Sequence, residues 1–126
     1  LRRAVRRGVL PPLVALGVKV DSLSHTMIDT DRVFSVNILE RGQKELAAKF
    51  FRHVEPEGNT FAGVPFRTGV TGCPIFPDAL AYFECEVVAD VKKGDHTLFV
   101  GQVVEAGVHR EGEPLTLRET GWYYGG

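Results

Sequence analysis

The chain has 126 residues, 44% hydrophobic and 25% charged, which is an ordinary globular composition, excludes wholesale disorder and fits one domain spanning 1–126. Fifteen Lys plus Arg against sixteen Asp plus Glu leave a formal net charge of -1, without the basic excess that a nucleic-acid binder uses to displace counterions. No apolar run reaches the roughly 20 residues that carry a helix across a bilayer.

Arg2, Arg3, Arg6 and Arg7 crowd the start, followed by an apolar run from Gly8 to Val18. This imitates a secretory leader, even a twin-arginine one, but no small-x-small cleavage site follows, and Lys19 and Asp21 end the run abruptly. The run reads better as a strand from Leu13 to Val20, opening after Pro11-Pro12 and apolar enough to be covered on both faces. Asp21 and Ser22 supply side-chain oxygens to cap a short helix through Ile28. From Arg32 to Leu39 the pattern alternates, with Phe34, Val36 and Ile38 on one face and Ser35 and Asn37 on the other, as in a strand. Between Gly42 and Arg52 the period becomes helical: Leu46, Ala47, Phe50 and Phe51 form an apolar face, and Lys44, Glu45 and Lys49 a polar one.

His53 to Pro77 is punctuated by glycine and proline and reads as a long irregular loop, which in a compact domain is functional or wraps another subunit. Ala81 to Val91 is a strand with Ala81, Phe83, Cys85, Val87, Ala89 and Val91 facing one way and Glu84, Glu86 and Asp90 the other. A turn at Lys92–Asp95 joins it to a second long strand, His96 to Val108, in a hairpin. A turn at Glu111–Pro114, a last short strand from Leu115 to Arg118 and an aromatic tail, Trp122-Tyr123-Tyr124, complete the chain. The sum is mainly β: a small barrel closed by a meander or Greek key, with two short helices.

The usual catalytic constellations are absent from this sequence. No glycine pattern of dinucleotide or Walker spacing follows a strand. His25, His53, His96 and His109 never pair at a separation that puts two on one face, so no metal site is expected. Cys73, in the loop, and Cys85, on a strand, read as free thiols of a cytoplasmic protein; the alternative is one bridge in a secreted protein. Ser22 with His25 lacks the strained elbow of a nucleophile and reads as a cap.

Two local features stand above this background. In Lys19-Val20-Asp21-Ser22-Leu23-Ser24-His25 a cation, two hydroxyls and free helix N–H groups meet at a strand-to-helix junction, which suits a phosphate; the alternative is an ordinary capped helix. In Gly94-Asp95-His96 a histidine stands where a turn becomes a strand, and its alternative is a half-exposed turn residue.

The order Pro-Pro-Leu-Val, Lys-x-Asp-Ser-x-Ser-His and Phe34-Ser35-Val36-Asn37-Ile38-Leu39 resembles the flavin reductase-like family of FMN-binding split barrels. Gln43-x-x-Leu46-Ala47-x-x-Phe50, Gly63-Val64-Pro65-Phe66, the stretch from Gly94-Asp95-His96 to Gln102-Val103 and the closing Gly121-Trp122-Tyr123-Tyr124-Gly125-Gly126 continue the resemblance in order from Pro11 to Gly126. It implies a homodimeric, six-stranded Greek-key barrel with flavin at the subunit interface. It also implies hydride transfer from NADH or NADPH to flavin, often for a separate monooxygenase. The cofactor would be FMN, with FAD as the alternative. Lys19, Ser22 and Ser24 would lie near the flavin phosphate with His25 beside them, His96 would face the ring and nicotinamide site, and Tyr124 would lie near the interface. Asn37 also matches, with a structural role as its alternative. Two further readings stay open: an FMN electron carrier without its own pyridine-nucleotide site, and a barrel that has lost flavin and serves as an interaction module. The family carries two strands and a Ser/Thr/Asn-rich stretch before Pro-Pro, where residues 1–10 here are arginine-rich. The expectation is a truncated or replaced start, with weakened flavin binding.

Overall fold

The computed structural model describes residues 10–51 and 55–124. The arginine-rich start, the expected helix end at Arg52, the loop start at His53 and the last two glycines lie outside them. The architecture is mainly β, around a curled four-stranded antiparallel sheet.

Strand β1 (Leu13–Lys19) begins directly after Pro11-Pro12, which have no N–H to give a ladder. Val14, Leu16 and Val18 turn to the core, whereas Leu13 is 57% exposed and Ala15 and Gly17 are exposed too. Among the described residues cover is found on one face only, where both were expected to be covered. Helix α1 (Leu23–Asp31) is capped by Ser22, as its hydroxyl suggested, and runs three residues beyond Ile28; Arg32, the next residue, ends it in the left-handed region (φ 61°). Strand β2 (Val33–Ile38) follows, with Phe34 buried in the core. Helix α2 (Lys44–Ala48) is shorter than its periodicity suggested. Gln43 gives its N-terminus no side-chain cap and spends its amide on Glu40 N and Asp78 O instead. Phe50 and Phe51 therefore sit past the helix, packed on Phe76 and Trp122.

The long Gly/Pro stretch is more ordered than expected. β3 (Pro56–Glu57), β4 (Thr60–Phe61) and β5 (Val64–Pro65) form a small sheet, and β6 (Arg67–Thr68) pairs with β7 (Pro74–Ile75). Phe61, Phe66 and Phe76 hold them together, with ring centroids 4.7–6.1 Å apart. The hairpin of β8 (Ala81–Lys92) and β9 (His96–Val108) is the centre of the main sheet, whose order is β1-β9-β8-β2. Its core unites Ile28, Phe34, Cys85, Phe99 and Val103. A Cβ on Gly101 would come within 2.6 Å of the Phe34 ring, so glycine there makes room for the aromatic side chain.

Two corrections to the sequence reading have physical causes. The β8–β9 register shifts between Glu84 and Cys85 and again between Val87 and Ala89. The first extra residue, Val104, is on β9 and the second, Val88, on β8, so only beyond Val88 does β8 parity reverse, and Ala89 and Val91 share the outer face with Val100 and Leu98 instead of the inner face with Cys85. Glu84, on the face opposite Cys85 as expected, is nonetheless 1% exposed because the loop before β7 covers it. The last short strand is instead helix α3 (Leu117–Thr120): Thr116 Oγ1 accepts from Glu119 N, and Gly121 (φ 74°) ends the turn. Only Pro114 makes a bridge, to Glu40, in that region.

Candidate functional site

The antiparallel register sets Lys19, the last residue of β1, directly across from His96, the first of β9. The backbone then turns sharply: Val20 N donates to Asp95 O (2.9 Å) and Ser22 N to Lys19 O (3.1 Å). The Ser22 hydroxyl donates to Lys19 O (2.8 Å) and accepts from His25 N (3.1 Å), which fixes where α1 begins. Its proton is committed to the chain's own backbone, so Ser22 builds the corner as a cap. Lys19 makes no salt bridge among the described residues, and it ends β1 four residues before the first residue of α1.

The other expected residues separate into three places. His25 turns inward: its Nε2 lies 2.6 Å from Thr97 Oγ1 and its ring 5.5 Å from Phe99, tying α1 to β9. Ser24, on a different stripe of the helix, lines a cavity with Met27 and Asp31. His96 remains at the corner with Tyr124. Its Nδ1 is 3.0 Å from Asp95 Oδ1 and its Nε2 2.7 Å from the Tyr124 hydroxyl. A carboxylate only accepts, so Nδ1 carries the proton, and in the neutral ring Nε2 accepts from the Tyr124 O–H. The hydrogen bond from His96, then its charge and that of Lys19, hold the Asp95 carboxyl below the usual carboxylate range. The corner thus unites Lys19, Ser22, His96 and Tyr124, with Asp95 orienting the imidazole.

Asn37 takes its structural alternative. Its amide donates to Pro74 O (3.2 Å) and accepts from Phe76 N (3.0 Å), bracing the strand against the loop.

Sequence reasoning missed Glu84. Its carboxylate accepts from Val70 N, Thr71 N and the Thr71 hydroxyl, and Gly69 lies so close that a Cβ there would fall 2.2 Å from Oε1. The available signal was an acid flanked by Phe83 and Cys85 in a long strand, downstream of a Gly-Val-Thr-Gly loop rich in free backbone donors. The loop it fixes runs into Cys73, a half-buried free thiol whose pKa is raised chiefly by burial and further by Glu84 and Asp31. Cys85, on β8, is fully buried, and burial pushes its thiol up to about 11. Among the described residues no helix is long and apolar enough to cross a membrane.

Comparisons with known proteins extend this picture. The chain is 35% identical over 105 residues to the FMN reductase (NADH) SmoA of Agrobacterium fabrum, covering 83% of this chain and 58% of that protein. It is 36% identical over 118 residues to Diflavin flavoprotein A 1 of Synechocystis sp., covering 90% of this chain and 20% of that one. Among solved structures, the NADH:FAD oxidoreductase SgcE6 of Streptomyces globisporus C-1027 in complex with NAD and FAD fragments superposes with a TM-score of 0.71 at 32% identity, over 82% of this chain and 62% of that one. The chain therefore spans less than two thirds of each of these relatives. Residues 8–125 match the family described as flavin reductase like domain, and with that match over nearly its whole length the chain belongs to this family.

Proposed function

We propose that the protein binds FMN at the β1–α1 corner and transfers hydride from NADH or NADPH to flavin, acting in the cytoplasm as a homodimer of one domain, 1–126. One observation carries the reading: Lys19 at a helix N-terminus faces an oriented His96 across a single strand pair. A phosphate dianion needs cations and unpaired donors, and the corner offers the Lys19 ammonium and the backbone N–H groups of the first turn of α1, which have no intrahelical acceptor. These groups fit FMN, and they serve the proximal phosphate of FAD equally.

When bound, flavin supplies the hydride-accepting ring, and the protein contributes orientation and electrostatics. Lys19 and the Leu23 and Ser24 N–H groups hold the phosphate, with the Ser22 cap fixing their position. Asp95 keeps the His96 proton on Nδ1, so Nε2 holds the Tyr124 hydroxyl beside the ring and nicotinamide site. Tyr124 covers that nitrogen and marks the side on which a second copy would dock. An exposed apolar strip of Leu13, Val91 and Leu98 on the outer sheet face supports such a homodimer. A separate monooxygenase would consume the reduced flavin. The Synechocystis relative, a diflavin flavoprotein, favours a second reading in which the domain serves as an FMN electron carrier.

FMN and riboflavin titrations test the corner. Lys19→Ala is expected to weaken FMN about ten- to a hundredfold through loss of a charge-assisted contact while sparing riboflavin. Equal losses for both flavins would remove Lys19 from phosphate binding. His96→Ala is expected to slow NADH-driven flavin reduction at unchanged FMN affinity. FMN binding without NADH oxidation leaves the electron-carrier reading, and no flavin binding at all leaves the interaction module.

A further inference from the structure

A cavity of about 440 Å³ opens between α1, β2 and the Glu84-braced loop, large enough for a small organic molecule. One stripe of α1 forms its roof: Ser24, Met27, Ile28 and Asp31, spaced as i, i+3, i+4 and i+7. Phe34 and Pro74 extend the apolar surface below.

The loop that closes the cavity is built to hold its shape. Three hydrogen bonds to the buried Glu84 carboxylate tether Val70 and Thr71. Gly69 N donates to Cys73 O (2.9 Å) and Gly72 N to Gly69 O (3.1 Å), locking the turn. Such preorganisation lowers the ordering cost of binding a ligand against the loop.

The polar groups around the cavity divide into spent and open. Ser35 Oγ donates to Pro74 O, and Thr71 Oγ1 donates to Glu84 and accepts from Cys73 N. Asp31 makes no hydrogen bond or ion pair with any described residue, and no Lys, Arg or His lines the space. The Asp31 carboxylate is therefore the one charged group available to an occupant. An anion would be repelled and would find no donor of opposite charge. A molecule with an apolar ring and an ammonium group would satisfy both surfaces.

We propose that this cavity is a binding site for a small aromatic amine, its ring on Met27, Ile28 and Phe34 and its ammonium on Asp31. The site adjoins the Lys19 corner at Ser24, whose side chain lines the cavity, and does not rest on the flavin reading.

Cys73 is a native reporter, because it lines the cavity while Cys85 is fully buried. The rate of Cys73 alkylation by iodoacetamide is measured on the intact chain with benzylamine, benzyl alcohol and benzoate as probes, and peptide mass spectrometry confirms the labelled thiol. Benzylamine is expected to protect Cys73 saturably, benzyl alcohol at least about tenfold more weakly, and benzoate not at all. Asp31→Asn, at an exposed position where folding is not at stake, should weaken benzylamine about tenfold and leave benzyl alcohol unchanged. Lys19→Ala should leave all three probes unchanged, so a failed flavin titration and a failed cavity remain separate results. Ligand-observed NMR on the Cys73→Ser variant repeats the ranking without the thiol. Equal protection by benzoate, insensitivity to Asp31→Asn, or no saturation by about 10 mM benzylamine, ten times a 1 mM dissociation constant, would overturn the proposal.

Discussion

The β1–α1 corner and the Glu84 loop are both polar, but they are assembled differently. At the corner, Lys19, Ser22 and the N-terminus of α1 are neighbours in sequence, and one hydroxyl sets the geometry through contacts three residues apart. At the loop, a carboxylate on β8 reaches back 13 and 14 residues to hold a turn that has no regular structure of its own. A locally built corner loses only its cap when one side chain is removed. A loop hung on one buried group loses its whole arrangement, since the amides left behind have no substitute acceptor.

The largest expected effect is therefore at Glu84. Glu84→Ala leaves two amides and a hydroxyl without their acceptor under cover and should cost about 3 kcal/mol or more in urea unfolding. Glu84→Gln keeps one acceptor oxygen and should cost about half as much. If both variants unfold at the wild-type midpoint, the loop is held by its backbone turn alone and the contrast between the two regions collapses.

Gly69→Ala sharpens the same contrast from the other side. The new methyl would meet a carboxylate that cannot swing away without breaking its hydrogen bonds, so a loss of about 1–3 kcal/mol is expected. In the Glu84→Ala background the methyl has room, and the penalty should largely disappear in a double-mutant cycle.

At the corner, Ser22→Ala should cost about 1 kcal/mol, the usual worth of an N-cap, and Ser22→Asp should restore most of it. A loss as large as that of Glu84→Ala would mean that the corner is not locally built.

The smallest effect belongs to His109, which stacks on Tyr82, two residues before Glu84 on the same sheet face. Burial first, then the charges of Arg67 and Arg110, lower its pKa in the fold. The unfolded chain therefore takes up the proton first as pH falls, and stability is full above about 6.5 and declines below it. His109→Phe, which keeps the stacked ring, should flatten that decline in pH-dependent denaturation. An unchanged profile would assign the acid sensitivity to carboxylates.

Legibility followed the same division. The cap at Ser22, the alternation of β2 and the β8–β9 hairpin were readable because each is encoded in a few consecutive residues. The corner could be anticipated for that reason, down to Lys19 and His96, although the sequence could not show that His25 would turn inward to Thr97. Alternation put Glu84 opposite Cys85, as found, but could not show that a loop 13 residues upstream covers that face. Ala89 and Val91 were misassigned because a bulge leaves no mark in composition. The strand expected at Leu115–Arg118 was lost to Thr116, whose hydroxyl caps Glu119 N and outweighs four residues of weak β propensity.

The sheet order β1-β9-β8-β2 also dictates a sequence of assembly. In this sheet only the central hairpin is closed by a short turn; β1 must travel across most of the chain to reach β9, and β2 across the whole α2-to-β7 stretch to reach β8. Loop closure is slower for these distant pairings, longest for β1 with β9, so the hairpin is the natural template on which both flanks condense. The amides of Cys85 and Phe99, at its fully buried centre, should be the last in the molecule to exchange with solvent.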